Sequence, residues 1–278
     1  MNTLKNILSQ YKIDHKAMPA FNIDSFEIYQ AVEAAVKETQ LPCIVQLSAN
    51  EDKFIEAEKL LLLVKKANLE NIPIYLNMDH GKDQDRLTKM VKLGFDMVHF
   101  DGSSLEYQQN LSDATSFIQQ VRSINPEIVI EVEFNKINLI ETGVDPKSYT
   151  DPTQALEFMT KTGADLLASS IGNLHGVSTE LPEVIDLELL KNITNIVPDK
   201  YFTLHGGSGI AIDQIFSAIN LGIVKININT DLRLQFKKSL IESVTSSTSE
   251  KIYDYLTPAI TSVKELVVQK LKQFSEQT

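Results

Sequence analysis

Three of the five histidines in this 278-residue chain stand at the ends of short apolar runs. Each of the three, His80, His175 and His205, is followed directly by glycine, and Glu133 lies near the end of a further run. Three imidazoles and one oxygen ligand suit a catalytic Zn²⁺ ion that keeps a coordination position open for substrate. If the ends of these runs meet in the fold, they predict a zinc site.

The other two histidines stand in different surroundings. His99 lies inside an apolar run, which predicts a packed or hydrogen-bonded ring. His15 lies in a charged N-terminal loop, which predicts a solvated ring. Neither is expected to take part in chemistry.

A regular alternation of elements would position these side chains. Short apolar runs alternate with longer segments whose apolar residues recur at spacings of three and four. Runs that are apolar on both faces and separated by helices are typical of a parallel sheet covered on both sides. Eight such units predict an α/β fold, the (β/α)₈ TIM barrel, with a doubly wound open sheet as the alternative. The predicted strands are Ala17–Asn22, Cys43–Ser48, Ile74–Asp79, Met97–Asp101, Ile128–Phe134, Leu166–Gly172, Phe202–His205 and Lys225–Thr230.

The helical segments have suitable boundaries. Phe26–Thr39 follows Ser25, a capping residue, and Asp52–Ala67 is predicted as one helix. Asp151-Pro152 combines a capping residue with proline at the first helical position. Glycines expected as left-handed caps follow three of the helical patterns: Gly94, Gly163 and Gly222.

The chain is expected to form one domain, residues 1–278, with extra helices at both ends. No low-complexity linker divides it. The tail, about residues 250–278, contains the amphipathic segment Tyr253–Phe274. Its apolar side is expected to pack against the barrel or against a second subunit.

The composition excludes several classes of protein. The formal net charge is −11 and no basic run occurs, which argues against a nucleic-acid or anionic-membrane partner. The single cysteine, Cys43, excludes a disulfide framework, a zinc ribbon and a cysteine-ligated iron–sulfur cluster. No apolar stretch approaches the ~20 residues that span a bilayer, and residues 1–10 lack a secretory apolar region. A soluble cytoplasmic protein is expected.

The carboxyl ends of the strands, where such barrels carry their chemistry, are polar. The glycine-rich loop His205–Gly209 follows the seventh strand and precedes a helix, so its amides can point at an anion. For this loop alone, a tight turn is the alternative. Asn227–Thr230 adds polar groups from the eighth strand. Phosphate sites after these two strands are common in the architecture, so the pattern predicts a phosphate-bearing substrate.

Six separated motifs resemble, in order, those of the class II metal-dependent ketose-bisphosphate aldolases, which include the fructose- and tagatose-1,6-bisphosphate enzymes. The motifs are Pro19–Asn22, Asn77–Gly81, Asp101–Ser103, Ile171–Val177, Leu204–Gly209 and Lys225–Arg233. The match runs from about Leu4 to Phe236. It implies a lyase that uses one Zn²⁺ ion per subunit, acts on a sugar phosphate, and assembles as a homodimer or homotetramer.

The resemblance also implies residue roles. His80, His175 and His205 would bind zinc, with Glu133 as an alternative or outer ligand, and Asp79 would be the acid/base at the substrate hydroxyl. Substrate contacts would come from Asn22, Ser48, Gly176, Gly206, Gly207, Ser208, Gly209, Asn227, Asn229 and Thr230. Family members also commonly use a monovalent cation, Na⁺ or K⁺, near the phosphate.

The implied reaction explains these groups. Cleavage between the third and fourth carbons yields dihydroxyacetone phosphate and an aldehyde such as glyceraldehyde 3-phosphate. It leaves a carbanion beside a carbonyl, whose charge a Lewis-acidic Zn²⁺ delocalises. Asp79 would take the hydroxyl proton in cleavage and return it in condensation. A second acid/base must exchange a proton with the carbon, and Glu141 matches the family's glutamate on the loop after the fifth strand.

Two segments depart from the family pattern. The family usually has a glycine pair shortly before this glutamate, and Asn135–Glu141 has none, so a stiffer loop is expected. Ser178-Thr179 stands where the family usually has Tyr-Lys, which removes a cationic contact for phosphate. An alternative is therefore a divergent member acting on another sugar phosphate, or a weakly active or non-catalytic sugar-phosphate-binding barrel. Retention of Asp79 argues against a bare binding protein.

Two other enzyme classes fit less well. Many metallohydrolase barrels place a His-X-His pair on the first strand, whereas this one ends Ala20-Phe21-Asn22. A Schiff-base aldolase needs a lysine that projects from a strand into the barrel, and Leu166–Gly172 contains none. Lys225 is expected at the start of the eighth strand, at the end opposite the chemistry.

Overall fold

A computed structural model describes residues 2–143, 145–176 and 184–276. The strands of its barrel are β1 (Met18–Asn22), β2 (Cys43–Leu47), β3 (Ile74–Gly81), β4 (Met97–Asp101), β5 (Val129–Glu133), β7 (Leu166–Ala168), β9 (Tyr201–Leu204) and β10 (Ile223–Ile228). All neighbours pair in parallel, and β1 pairs with both β2 and β10, so the sheet closes. The predicted (β/α)₈ barrel is confirmed, and the open doubly wound sheet is wrong.

Helices surround the barrel and cover its ends. They are α1 (Leu4–Ile13), α2 (Phe26–Thr39), α3 (Ala49–Ile55), α4 (Ala57–Leu69), α5 (Gln84–Leu93), α6 (Tyr107–Ile124), α7 (Pro152–Thr162), α8 (Leu187–Ile196), α9 (Ile212–Asn220), α10 (Thr230–Ser246) and α11 (Ile252–Ser275). A short 3₁₀ helix spans Pro146–Ser148, and a two-stranded parallel sheet outside the barrel joins β6 (Asn138–Leu139) to β8 (Leu174–His175).

The predicted helix boundaries are largely confirmed. Ser25 and Asp151 accept hydrogen bonds from N–H groups in the first turns of α2 and α7. Gly94 and Gly163 end α5 and α7 in the left-handed conformation, and Gly222 adopts it one residue after α9 is capped.

Two predicted elements differ from the structure by more than two residues, and a third, the strand predicted at Lys225–Thr230, spans Ile223–Ile228. The segment Asp52–Ala67 is two helices, because Glu56 adopts φ 67° and Asp52 Oδ1 accepts the N–H of Ala57 at 2.8 Å, which starts α4 afresh. The strand predicted to reach Gly172 ends at Ala168. Beyond it the backbone of Ser170 bonds to Thr150 instead of to a barrel strand.

The barrel interior is layered along the strands. The layer at the amino ends is apolar and packs on α1: Met18, Ile44, Tyr75, Met97, Val129, Leu166 and Val224. Further along the strands lies a layer of fully buried polar residues: Gln46, Asn77, His99, Glu131, Thr203 and Lys225. Side chains two residues apart on a strand share a face, so the next inward positions form the open carboxyl rim.

The C-terminal helix covers the outside of the barrel. α11 packs against α2 and α10, and it buries Val263, Val267 and Leu271. The predicted segment Tyr253–Phe274 is thus confirmed as a helix that packs against its own barrel. None of the helices in the described part of the chain has the length and apolar character needed to cross a membrane.

Candidate active site

The three predicted ligand histidines converge at the carboxyl rim. His80 lies at the end of β3, His175 in β8, and His205 directly after β9. Their ring centroids are 4.6 Å apart for His80 and His205, 5.1 Å for His80 and His175, and 5.7 Å for His175 and His205. Three imidazoles bound tetrahedrally to Zn²⁺ at about 2.0–2.1 Å would have centroids about 5 Å apart. The rings therefore fit a shared divalent ion.

The outer nitrogens of two rings already have carboxylate partners. His205 Nε2 lies 2.7 Å from Glu131 Oε1, and His80 Nδ1 lies 3.2 Å from Asp101 Oδ2. The remaining nitrogens, His80 Nε2 and His205 Nδ1, face each other at 3.0 Å. Carboxylates behind imidazoles are the usual support of metal-ligating histidines because they fix the tautomer and ring orientation.

His80 is held in an unusual backbone conformation. Its φ is 50°, in the left-handed region that a non-glycine residue adopts only at a cost. The register of β3 against β4 shifts between Met78 and Gly81, and the backbone N–H of His80 donates to His99 Nδ1 at 3.1 Å. This local turn directs the His80 ring toward His205.

The charges around the rings favour a cation. Burial lowers the pKa of His175 to about 3 and that of His205 to about 4, so both present neutral imidazoles. Burial also opposes protonation of His80, but Asp79 and the Asp101 and Glu133 carboxylates raise its pKa to about 10. Positive charge at His80 is therefore stabilised by three neighbouring carboxylates.

His99 is more central than its position in the sequence indicates. The prediction of a packed, hydrogen-bonded ring is confirmed, since the ring is fully buried and accepts the His80 N–H. In addition, ligand atoms of Asp79, His80, His99 and His205 all lie within 4.8 Å of one another. His99 therefore lines the candidate metal centre.

Glu133 lies beside the histidines on the Nδ1 side of His80. Its Oε2 is 3.5 Å from His80 Nδ1 and 3.6 Å from His99 Nε2, and this buried oxygen has no hydrogen-bond partner among the described residues. Burial chiefly raises the pKa of Glu133 to about 7. His80 turns its other nitrogen to His205, so Glu133 lies on the side of His80 away from the facing pair of nitrogens.

Asp79 stands directly beneath the rings. Its Oδ2 accepts from Gln46 Nε2 at 3.1 Å, and its Oδ1 lies 3.4 Å from His99 Nδ1. Burial opposes ionisation, but the nearby positive charges of His80 and Lys225 hold the pKa of Asp79 well below its usual range. Asp79 is therefore an ionised carboxylate that can accept a proton.

Lys225 lies away from the position expected from the sequence, and it pairs with Glu131, a residue to which the sequence assigned no role. Lys225 is not remote from the chemistry: its fully buried side chain points into the barrel, where Nζ lies 3.0 Å from Glu131 Oε2 and 2.8 Å from Asn227 Oδ1. A bulge between Ile223 and Lys225 displaces it from the position that simple counting assigns. Inward alternation in Val129–Glu133 is the signal that could have identified Glu131.

The predicted phosphate loop, residues 205–209, lies against β10, the last strand of the barrel. Gly206 adopts φ 66°, and a Cβ there would lie 1.8 Å from the carbonyl oxygen of Leu174, so only glycine fits. The N–H of Gly207 donates to the carbonyl of Asn227 at 3.0 Å. Ser208 Oγ accepts the N–H of Asp231 at 3.2 Å. These bonds join the loop to the start of α10.

Three predicted substrate contacts, at the end of β1, directly after β2 and directly before α10, meet at one unpredicted carboxylate. Glu51, in α3, accepts hydrogen bonds from the Asn22 amide, the backbone N–H of Ser48 and the Asn229 amide. Asn229 Oδ1 is buried and has no hydrogen-bond partner among the described residues. The helical pattern of the segment after β2 gave no sign that Glu51 would turn inward.

Glu141, the predicted second acid/base, is not brought to the histidines in the described structure. It lies on an exposed turn after β6, and no contact joins its carboxylate to the rings in the described structure. The preceding loop is tied to β8 by strand pairing and by the Ile140 N–H donating to the His175 carbonyl at 2.9 Å. Gly176 packs beside Ile140, while Ser178 and Thr179 lie outside the described residues.

A family model described as fructose-bisphosphate aldolase class-II matches residues 2–278. The chain belongs to this family. Its members are class II aldolases, which are lyases, and the chain therefore carries an aldolase function in a metal-dependent family.

Curated relatives and solved structures agree with this assignment. A fructose-bisphosphate aldolase of Ureaplasma parvum is 30% identical over 288 residues, covering 99% of this chain and 97% of the relative. A fructose-bisphosphate aldolase of Streptococcus pneumoniae is 32% identical over 225 residues, covering 79% and 75%. Among solved structures, the YdjI aldolase of Escherichia coli superimposes with a TM-score of 0.85 at 25% identity, covering 99% and 97%. The class II aldolase fold is thus common to the relatives and this chain.

Proposed function

We propose that this protein reversibly cleaves a ketose 1,6-bisphosphate of the fructose or tagatose type to dihydroxyacetone phosphate and an aldehyde such as glyceraldehyde 3-phosphate. The observation that carries the proposal is the pair of facing nitrogens, His80 Nε2 and His205 Nδ1, each ring backed by a carboxylate and flanked by ionised Asp79. A cation held between those nitrogens would lie within reach of a base, which is what cleavage beside a carbonyl requires.

His80, His175 and His205 would hold one Zn²⁺ ion, with Glu133 as an outer or alternative ligand. When bound, the ion supplies Lewis-acid stabilisation of the negative charge that develops beside the substrate carbonyl. Asp79 accepts the proton of the hydroxyl whose oxygen becomes the aldehyde, and returns it in condensation. Asn227, whose amide lies 3.2 Å from His205 Nδ1 and 3.5 Å from Asp79 Oδ1, would orient that hydroxyl between base and metal.

The phosphate of the dihydroxyacetone phosphate end would bind where the β9 loop meets α10. Gly206, Gly207, Ser208 and Gly209 would supply close backbone approach, and Thr230 opens a helix whose first N–H groups attract anions. Asn22, Ser48, Gly176 and Asn229 would contact the rest of the substrate. A Na⁺ or K⁺ ion beside the phosphate would contact Asn229 Oδ1, which has no hydrogen-bond partner in the described part of the chain.

Glu141 is the proposed second base, which exchanges a proton with the substrate carbon. Glu141 would reach the substrate carbon by movement of the loop after β5, because it lies on an exposed turn in this structure.

We also propose a homodimer or homotetramer in the cytoplasm. The formal charge of −11 argues against a nucleic-acid or anionic-membrane partner, and the partner we propose is a small sugar phosphate.

Metal content and turnover test the proposal together. Purified protein is assayed for zinc and for triose phosphate release from fructose and tagatose bisphosphates, before and after EDTA and after zinc is restored. We expect zinc near one per chain and turnover that is lost and regained with it. Bound zinc without turnover on a panel of sugar phosphates would instead favour a divergent or non-catalytic barrel.

A matched pair of variants identifies the ligands. His80→Asn should lose zinc and turnover, whereas His15→Asn should keep both. Both histidines have left-handed backbones, with φ of 50° and 53°, a conformation that asparagine tolerates. Backbone strain therefore changes equally in the two variants, and full zinc content in His80→Asn would refute the ligand assignment.

A further inference from the structure

Glu51 occupies a buried position among hydrogen-bond donors. Its side chain lies in the first turn of α3, and the residue is 5% exposed. Oε2 accepts from Asn22 Nδ2 at 2.9 Å and from the Ser48 N–H at 2.6 Å. Oε1 accepts from Asn229 Nδ2 at 3.2 Å and from Arg233 Nη2 at 2.7 Å. Four donors from three segments therefore converge on one carboxylate: Asn22 at the end of β1, Ser48 before α3, and Asn229 with Arg233 at the start of α10.

An ionised carboxylate only accepts hydrogen bonds, so it determines how the neighbouring amides are turned. Asn22 must present its NH₂ group to Glu51, which turns Asn22 Oδ1 the other way, toward Gln46 Nε2 at 2.9 Å. The same Gln46 nitrogen donates to Asp79 Oδ2 at 3.1 Å. A reversed Gln46 would place its oxygen against two other acceptors.

The oxygen of the Gln46 amide also has a partner that supports this orientation. Gln46 Oε1 accepts from Asn77 Nδ2 at 3.0 Å, so both ends of the Gln46 amide are used. Gln46 and Asn77 are fully buried, where an unmatched pair of acceptors is costly. A single ordered series of donors and acceptors thus runs from Glu51 through Asn22 and Gln46 to Asp79.

Arg233 holds the starting point of this series. Its guanidinium bonds to both carboxylate oxygens of Asp24 and to Glu51 Oε1. Asp24 and Arg233 are the charged groups that face Glu51. Burial, with the adjacent Asp24, raises the pKa of Glu51 to about 7.

We propose that Glu51 is a positioning residue whose buried carboxylate, held by Arg233, orients the Asn22 and Asn229 amides and, through Gln46, the hydrogen bond received by Asp79. The proposal rests on the proposed function for its catalytic consequence, because it takes Asp79 to be the base. The orientation of the amides does not depend on that function. Both oxygens of Glu51 accept hydrogen bonds, and a proton on either oxygen would face groups that are themselves donors. The observed hydrogen bonds therefore require the ionised form of Glu51.

The first test is a double-mutant cycle on turnover. Glu51→Gln replaces an acceptor with a group that also donates, and we expect kcat/KM to fall 10- to 100-fold, with loss of kcat as well as a rise in KM. Gln46→Met removes the side chain that connects Asn22 to Asp79. If Glu51 acts through Gln46, Glu51→Gln should lower kcat much less in the Gln46→Met background than in the wild type. Glu127→Gln, on an exposed glutamate at the opposite end of the barrel, is the control and should change neither. Additive losses in kcat would overturn the proposal.

A second measurement does not depend on turnover. The side-chain NH₂ resonances of Asn22 and Gln46 should shift in Glu51→Gln and remain unchanged in Glu127→Gln. If Glu51→Gln does not fold, Arg233→Met loosens the same carboxylate from a half-exposed position and should shift the same resonances. Unchanged resonances in a folded variant would overturn the proposal. Shifted resonances in a protein that cleaves no sugar phosphate would refute the proposed function and leave the positioning role supported.

Discussion

His205 and Glu131 are joined at the centre of the barrel by a 2.7 Å contact between Nε2 and Oε1, and both side chains are fully buried. The other oxygen of Glu131 accepts from Thr203 at 2.9 Å and lies 3.0 Å from Lys225 Nζ. One carboxylate thus serves two purposes, since it fixes the tautomer of a candidate metal ligand and neutralises a buried ammonium group.

Replacement of Glu131 should separate these two purposes. Glu131→Gln can keep an acceptor toward His205 or toward Lys225 but leaves the ammonium charge unpaired. We expect metal affinity to fall about 10- to 100-fold and the free energy of unfolding to fall by about 3–5 kcal/mol. Zinc titration and urea unfolding measure the two effects.

The double variant Glu131→Gln with Lys225→Met removes the unpaired charge. It should regain most of the unfolding free energy without regaining metal affinity. Recovery of both would mean that Glu131 acts on the metal only through overall stability.

Asp79→Asn removes the proposed base but keeps the size of the side chain and one acceptor. Turnover should fall by about 10²-fold or more, because proton transfer by a positioned group contributes about that factor. Zinc content measured on the same preparation should not change. Asp199→Asn, on an exposed aspartate, is the matched control. Loss of zinc from Asp79→Asn would show that Asp79 is a ligand.

Glu141 is expected to exchange a proton with the substrate carbon. Glu141→Gln should therefore abolish solvent proton exchange at dihydroxyacetone phosphate, followed by NMR in heavy water, while zinc remains bound. Glu127→Gln serves as a control of the same chemistry. Unchanged exchange in Glu141→Gln would place the second base elsewhere in the chain.

Asp96 should make stability depend on pH at the end of the barrel away from the site. Burial raises the pKa of Asp96 to about 6, although the carboxylate accepts the N–H of Leu76 at 2.9 Å. A folded-state pKa above the unfolded value means that the contribution to stability is present at low pH and is lost as pH rises through about 6.

Asp96→Asn keeps an acceptor for Leu76 and removes the titration. Relative to this variant, the wild type should lose about 2–3 kcal/mol of unfolding free energy between pH 4 and pH 8. Urea unfolding across that range measures the difference, with Asp199→Asn as control. A constant difference across the range would contradict the role assigned to Asp96.

The strands and the rim could be predicted because short apolar runs separated by helical segments indicate parallel strands, whose carboxyl ends meet at one edge. In β5, Val129, Glu131 and Glu133 occupy in turn the apolar layer, the buried polar layer and the rim. The same progression in β3 gives Tyr75, Asn77 and Asp79. Short apolar runs that end in polar residues were therefore enough to predict where the histidines and Asp79 would meet.

The rest depended on features that no local pattern contains. The bulge at Lys225 and the left-handed turn at His80 arise from pairing with neighbouring strands. The convergence of amides on Glu51 joins positions up to 178 residues apart. Such contacts are set by closure of the barrel, so the sequence predicted Asn22 and Asn229 as polar groups of the site without indicating the carboxylate that orients them.

The left-handed backbone at His80 also has a consequence for how this protein responds to selection. An imidazole at that φ is less favourable to folding than glycine or asparagine would be. In a mutant library sorted only for yield of folded protein, residue 80 should drift toward those two amino acids. In a parallel library sorted for turnover, histidine should be retained. Sequencing both pools would then show, from the residue frequencies at position 80, that histidine is retained there for activity at a cost in folding stability.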